Sequence, residues 1–311
     1  MQQPLVSVVI PTFARPRALR ECLDALAHQT MPKTDFEVVV VDDGSPGSLA
    51  DVVAEAAPRL AARLVRQENA GPAAARNRGV REALGPLVAF TDDDCRPSPC
   101  WLERLVAAER ERPGTLVGGS TVNGLPNDLF AATSQLIVDM VYEHFNADPE
   151  HAYFLTSNNI VCSRARLLTI GGFDERFRLA AEDRDFCDRW RAAGFGIAWR
   201  PDATIEHRHA QTLGTFVGLH YRYGRGAHMY KVKRSVRGTG TMQEDIGFHA
   251  TLPRRLWGRL GRELAYGRAV PIGSALVLWQ VANAVGFAVQ AWVGRGEKAG
   301  PSPELPHTAD D

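Results

Sequence analysis

Leu87-Val88-Ala89-Phe90-Thr91-Asp92-Asp93-Asp94 is an apolar run that ends directly in three carboxylates. A continuous apolar run this short fits a strand buried on both faces. Three adjacent acids repel one another unless something offsets their charge. A hard divalent cation shared with a diphosphate would do so, since Mn²⁺ and Mg²⁺ take oxygen ligands of this kind. A solvated acidic turn accounts for the same residues without any ligand.

Two similar runs lie upstream. Val6-Ser7-Val8-Val9-Ile10 is stopped by Pro11, and Glu37 to Val41 is stopped by Asp42-Asp43-Gly44-Ser45. Between them, Leu19, Cys22, Leu23 and Leu26 recur at helical spacing over 17–29. Further helices are expected over 49–62 and 73–84, with a short strand at Arg63-Leu64-Val65. This alternation predicts an α/β protein with a mostly parallel sheet and helices on both faces. Ligands of such sheets bind beyond the carboxyl ends of the strands, so Pro11-Thr12, Asp42-Asp43 and Asp92-Asp93-Asp94 should face one crevice. After about Pro113 the pattern is more mixed. Helices are expected over 134–145, 182–193, from Gly214 onward and over 272–293, and strands over 158–162 and 196–200.

Composition narrows the class. The 36 Lys+Arg residues balance 36 Asp+Glu, so no overall basic field attracts nucleic acid. The five cysteines form no CxxC pair, which suits a reducing compartment better than a disulfide framework. Met1 to Ser7 has no basic segment ahead of a long apolar one, and a cytoplasmic catalytic part is expected.

Several residues could carry chemistry. A carboxylate at Asp42 or Asp43 can accept the N–H of a uracil base, although Asp43-Gly44-Ser45 also suits an Asx turn. The small residues of Asn69-Ala70-Gly71-Pro72-Ala73-Ala74-Ala75 allow close approach of a ligand, and Arg76 could reach a phosphate or ribose. The plainer alternative is a solvated arginine. Ala181-Glu182-Asp183-Arg184-Asp185 opens a helix, where acids also serve the dipole. Asp183 is the candidate general base for an acceptor hydroxyl. Gly171-Gly172-Phe173-Asp174 supplies a tight turn that could set this helix beside a sugar, and Asn158, Gly172 and Glu182 are placed on that acceptor side. His207, in Glu206-His207-Arg208-His209, could complete a metal's ligand set.

Taken in order, Val8-Val9-Ile10-Pro11-Thr12-Phe13, Val41-Asp42-Asp43-Gly44-Ser45, Asn69-Ala70-Gly71, Phe90-Thr91-Asp92-Asp93-Asp94, Gly171-Gly172-Phe173-Asp174 and Glu182-Asp183 resemble glycosyltransferase family 2, whose fold is GT-A. The similarity spans roughly residues 5–230. It implies an inverting enzyme that uses a nucleotide diphosphate sugar, usually UDP-linked, with Mn²⁺ or Mg²⁺. By position it implies that Pro11, Thr12, Phe13 and Arg15 line the nucleotide and that Asp42 or Asp43 meets the base. Arg76, Asp92 and Asp93 complete the donor side. Asp92 and Asp94 are the ends of the DxD motif and with His207 make the implied metal set, Asp94 being the more direct ligand, and Asp183 is the base. The QxxRW motif of processive polysaccharide synthases is absent, so transfer of one sugar per encounter is implied. A nucleotidyltransferase of similar fold would begin with a Gly-rich triphosphate loop, which Pro11-Thr12-Phe13-Ala14-Arg15 is not. A non-catalytic nucleotide-sugar-binding module would not need both Asp94 and Asp183.

The implied organisation is a GT-A domain over 1–230, with a nucleotide-binding half (1–115) and an acceptor half (116–230). A C-terminal helical region follows over 231–295, then a disordered tail over 296–311. The segment 272–293 has no charge and is long enough to span a bilayer. Arg254, Arg255, Arg259, Arg262 and Arg268 precede it, with Lys231, Lys233, Arg234 and Arg237 further upstream. One reading has 231–293 touching an anionic membrane face. The other buries the helix against the domain or a second subunit. The acceptor expected is a glycan, a lipid or a small molecule.

Overall fold

The structure, a computed structural model, describes residues 3–178, 180–240 and 267–294. Its strands are β1 (Val6–Thr12), β2 (Phe36–Asp42), β3 (Ala62–Arg66), β4 (Leu87–Phe90), β5 (Cys95–Pro97), β6 (Leu116–Asn123), β7 (Ile160–Ser163) and β8 (Ile197–His207). Its helices are α1 (Pro16–Ala27), α2 (Ala50–Ala56), α3 (Pro72–Glu82), α4 (Trp101–Glu111), α5 (Leu129–Phe145), α6 (Arg164–Thr169), α7 (Glu182–Ala192), α8 (Leu213–Arg237) and α9 (Ala269–Val293).

All eight strands form one sheet in the order β3-β2-β1-β4-β7-β6-β8-β5. The expected α/β architecture is present. β1 pairs in parallel with β2 and β4, β2 with β3, and β6 with β8. The pairings of β7 with β4 and β6, and of β5 with β8, are antiparallel. β6 was not expected, because Gly118-Gly119 weakens its strand signal. Both faces of the central strands are covered. Val9, Val39, Val41, Val88 and Phe90 enter one core, and Val8, Ile10, Val38, Val40 and Ala89 enter the other. Alternate residues therefore serve opposite faces, and the strands read as unbroken apolar runs.

Several boundaries differ from expectation for local reasons. α2 ends at Ala56 instead of reaching 62, since Pro58 lacks the N–H that would continue it. α5 starts at Leu129, five residues early, because the Asp128 carboxylate caps it by accepting from the N–H groups of Phe130 and Ala131. α8 runs unbroken through residue 230, where a domain boundary was expected, from a Thr212–Thr215 capping box to Gly238.

α9 lies alongside α8. The contacts His220–Trp279, Gly224–Asn283 and His228–Phe287 advance together, so the two helices run parallel. Gly224 and Gly286 let the backbones touch, since a Cβ on either would lie 2.0 Å from a carbonyl oxygen of the other helix. Ile272, Ala275, Leu276 and Trp279 of α9 are buried, whereas Val270, Val277, Val281 and Trp292 are exposed. Among the described residues α9 alone is long and apolar enough to cross a membrane. Three basic residues near the end of α8 pair with acids of the domain. Lys233 binds Asp174, Arg234 binds Asp188, and Arg237 binds both Asp185 and Asp188. Arg254, Arg255, Arg259, Arg262 and the tail over 296–311 lie outside the described residues.

Candidate active site

A cleft of about 670 Å³ opens over the carboxyl ends of β1, β2 and β4. Its walls include every residue expected at the site except Asp42 and Gly172. Asp42 is fully buried and holds its own turn, its Oδ1 accepting from the Ser45 N–H at 2.9 Å. That corrects its assignment to the base. Asp43 does face the cleft. Its Oδ1 accepts from Gln67 Nε2 and the Ala70 N–H, and its Oδ2 from the Gly71 N–H, which fixes the loop that starts α3. Gly172 is also corrected. At φ +69°, a Cβ there would meet Asn77 Oδ1 at 2.5 Å, and Asn77 ties the turn to α3 by bonding both the N–H and the carbonyl of Phe173. The glycine is needed for that close approach, not for an acceptor.

The three acids of the triplet have different partners. Asp92 accepts from Arg76 Nη2 at 2.8 Å. Asp93 accepts from Thr12 Oγ1 at 2.7 Å and Arg15 Nη1 at 3.1 Å. Burial, opposed by Arg15 and reinforced by Asp94, pushes its carboxyl up to about 6. Asp94 accepts from Arg15 Nη1 at 3.0 Å and lies 3.3 Å from His207 Nε2 and 3.2 Å from His209 Nδ1. Burial opposes its ionisation, but the two histidines and Arg15 outweigh it and hold Asp94 well below the usual carboxylate range. Ligand atoms of Asp94, His207 and His209 all lie within 4.8 Å of one another, as a single ion would require. Asp92 lines the same cleft but stands outside that cluster, its carboxylate paired with Arg76.

His209 was missed. Its imidazole stacks on that of His207 with centroids 5.6 Å apart and planes 14° apart. The signal was available, since residues i and i+2 of an extended chain point the same way.

Arg76 is no solvated helix arginine. It is 3% exposed and bridges Asp92 to Glu182, whose Oε1 accepts from Nη1 at 3.1 Å. One guanidinium thus links the end of β4 to the start of α7. Asp183 follows on the first turn of that helix. Burial first, then the neighbouring Glu182 carboxylate, pushes Asp183 up to about 7, against Arg184 and Arg76. The residue before this turn, Ala181, sits at φ +75°, and Ala14 of the β1 loop at φ +56°. These are the only non-glycine residues at positive φ among those described, and strain of this kind concentrates at functional loops. Gly226 of α8 gives the Ala181 turn its room, since a Cβ there would lie 2.4 Å from the Ala180 oxygen. On the remaining wall, Asn158 keeps a buried Oδ1 without a hydrogen-bond partner.

Residues 7–169 match the family model described as glycosyl transferase family 2. The chain belongs to that family. Among its relatives, it is 46% identical over 248 residues to validoxylamine A glucosyltransferase of Streptomyces hygroscopicus subsp. limoneus, covering 69% of this chain and 55% of that protein. It is 37% identical over 131 residues to the glycosyltransferase AglE of Haloferax volcanii, covering 42% and 43%. The chain thus spans about half the length of the curated relatives it matches. Two solved structures share the fold. One is a Pyrobaculum calidifontis mannosyltransferase in complex with GDP-Man and Mn²⁺ (TM-score 0.63, 21% identity, 96% of this chain and 88% of that one). The other is S. aureus TarS 1–349 in complex with UDP-GlcNAc (TM-score 0.54, 19% identity, 94% and 92%).

Proposed function

We propose that this chain transfers a sugar from a nucleotide diphosphate sugar to an acceptor hydroxyl, in one displacement with inversion and with a divalent cation. The observation that carries the reading is the meeting, in one cleft, of the Asp94–His207–His209 cluster with the Asp183 carboxyl at the start of α7. The two structural neighbours, one with GDP-Man and Mn²⁺ and one with UDP-GlcNAc, support a nucleotide-sugar donor and a metal.

The donor set fits an ion. One carboxylate and two imidazoles leave coordination positions for diphosphate oxygens, and the imidazoles favour Mn²⁺ over Mg²⁺. When bound there, the cation neutralises charge on the departing diphosphate. The chain's own residues do the rest. Thr12 and Arg15 fix Asp93, and Arg15 keeps a positive charge at the mouth beside Asp94. Asp43 Oδ2 accepts one hydrogen bond from the chain and retains capacity for the N3–H of uracil, which favours a UDP-linked donor. Asp183 takes the proton of the acceptor hydroxyl as its oxygen bonds to the anomeric carbon and the bond to the diphosphate breaks. A carboxyl at about 7 suits that task near neutral pH.

In organisation, residues 1–115 form the nucleotide side and 116–230 the acceptor side, with α8 and α9 completing the latter. Transfer of a single sugar fits the absence of the QxxRW motif. Thermal melting with UDP-glucose, UDP-GlcNAc and GDP-mannose in Mn²⁺ tests the donor class. A UDP-sugar should raise Tm most, and no response to any nucleotide sugar would sink the reading.

A further inference from the structure

The cleft does not stop at Asp183. It continues between α5, α8 and α9 into a chamber walled by Ile137, Val141, Tyr223, Trp279 and Phe287, with His220 set into its side. His220 is 2% exposed, and neither of its ring nitrogens has a hydrogen-bond partner. Its ring is held edge-on by Phe216, Tyr223 and Trp279 at centroid distances of 4.4, 5.6 and 6.4 Å. A buried polar group without a partner costs free energy unless a ligand supplies one. Burial also pushes this imidazole down to about 4, so at neutral pH it offers one donor and one acceptor.

The chamber adjoins the proposed reaction centre. Asp183, Tyr223 and His220 line one continuous cavity, and the Tyr223 ring lies edge-on to that of His220 at 5.6 Å. No carboxylate of α5, α8 or α9 is among the described wall residues; the polar side chains these helices add beside His220 are Ser134, Gln135, Arg222, Lys231 and Asn283, and the rest of their wall is apolar or aromatic. Polyhydroxylated ligands need many fixed polar partners, whereas aliphatic and aromatic walls with few polar groups suit an apolar body.

Resting on the transferase reading above, we propose that this chamber seats the non-reacting body of the acceptor. That body is aromatic or aliphatic, and His220 hydrogen-bonds one polar group on it. The reacting hydroxyl then faces Asp183. α9 is thereby a specificity element, contributing Trp279 and Phe287 to acceptor choice.

The test is calorimetric titration of the full chain, saturated with UDP and Mn²⁺, with three probes: methyl, octyl and 4-nitrophenyl β-D-glucopyranoside. The octyl and nitrophenyl compounds should bind at least about tenfold more tightly than the methyl one. His220→Phe keeps the ring packing, and should weaken nitrophenyl glucoside by about threefold to tenfold without changing UDP affinity. His220→Asn, which retains a donor and an acceptor, should recover part of that loss. Equal binding of all three glucosides, or none of them while UDP binds, would overturn the proposal. Failure of the unmodified chain to bind UDP would instead overturn the donor reading beneath it.

Discussion

Asp94 and His209 meet at the edge of the sheet, with Nδ1 of His209 3.2 Å from Oδ2 of Asp94 although they stand 115 positions apart in sequence. β5 and β8 make the meeting possible, because Cys95 pairs with His207 in an antiparallel register that carries both segments to one edge. If this cluster holds the cation, His209→Ala should weaken UDP binding in Mn²⁺ by about tenfold or more. UDP binding in EDTA should not change. An equal loss in both conditions would make His209 a packing residue.

Asp183 carries a different step. Asp183→Asn should abolish transfer while UDP affinity in Mn²⁺ stays within about twofold, since the variant removes the base and not the donor contacts. Its stability follows from the raised titration. A carboxyl near 7 in the fold, against about 3.9 unfolded, contributes stability below pH 4 that is lost as pH rises through 7. The Asn variant should therefore melt no lower than the parent at pH 8. Transfer at normal rate by this variant would remove Asp183 from its role.

The same titration predicts a pH profile. Because the ionised form is the base, kcat/KM should rise with pH up to about 7 and level off above it. The rising limb should disappear from any residual activity of Asp183→Asn. A profile already flat from pH 5 upward would mean that some other group takes the proton.

Gly226 offers a test of positioning. Alanine within a helix ordinarily stabilises relative to glycine by about 0.5–1 kcal/mol. Here its Cβ would fall 2.4 Å from the Ala180 oxygen and 3.2 Å from the Ala181 Cβ, so backbone must shift. Gly226→Ala should lower kcat about tenfold or more through displacement of Asp183, with UDP affinity unchanged. Unaltered kcat would mean that the Ala181 turn is not the element that aims the base.

Asp188 anchors the helix that carries Gly226. It is 2% exposed and binds Arg234, Arg237 and Thr239 at 3.1, 2.8 and 2.7 Å. Removing a buried ionic partner costs about 3–5 kcal/mol, so Asp188→Ala should melt well below the parent in a calorimetric scan. A Tm within a few degrees of the parent would show α8 to be held by apolar packing alone.

Much of the site was legible because it lies at the ends of short, fully apolar strands. Val6 to Ile10, Glu37 to Val41 and Leu87 to Phe90 are marked by composition alone, and their carboxyl ends are where ligands of such sheets bind. Asp94 and Asp183, which line the same cleft, stand in local motifs as well. What escaped depends on contacts between distant segments. The burial of Arg76 between Asp92 and Glu182 spans 106 residues in its longer arm, and no helical periodicity encodes it. β6 escaped because its glycines, chosen for close approach to Asn159 and Ala203, lower its strand propensity. The basic residues of α8 suggested a membrane face because their partners Asp174, Asp185 and Asp188 lie more than 40 residues upstream.

The central proposal is that metal and diphosphate bind together at the Asp94 cluster. Calorimetric titration of UDP into the parent chain and into Asp94→Ala, each in Mn²⁺ and in EDTA, tests it directly. The parent should bind UDP at least about tenfold more tightly in Mn²⁺ than in EDTA, and Asp94→Ala should lose that difference. UDP affinity in the parent that is the same with and without Mn²⁺ would contradict it.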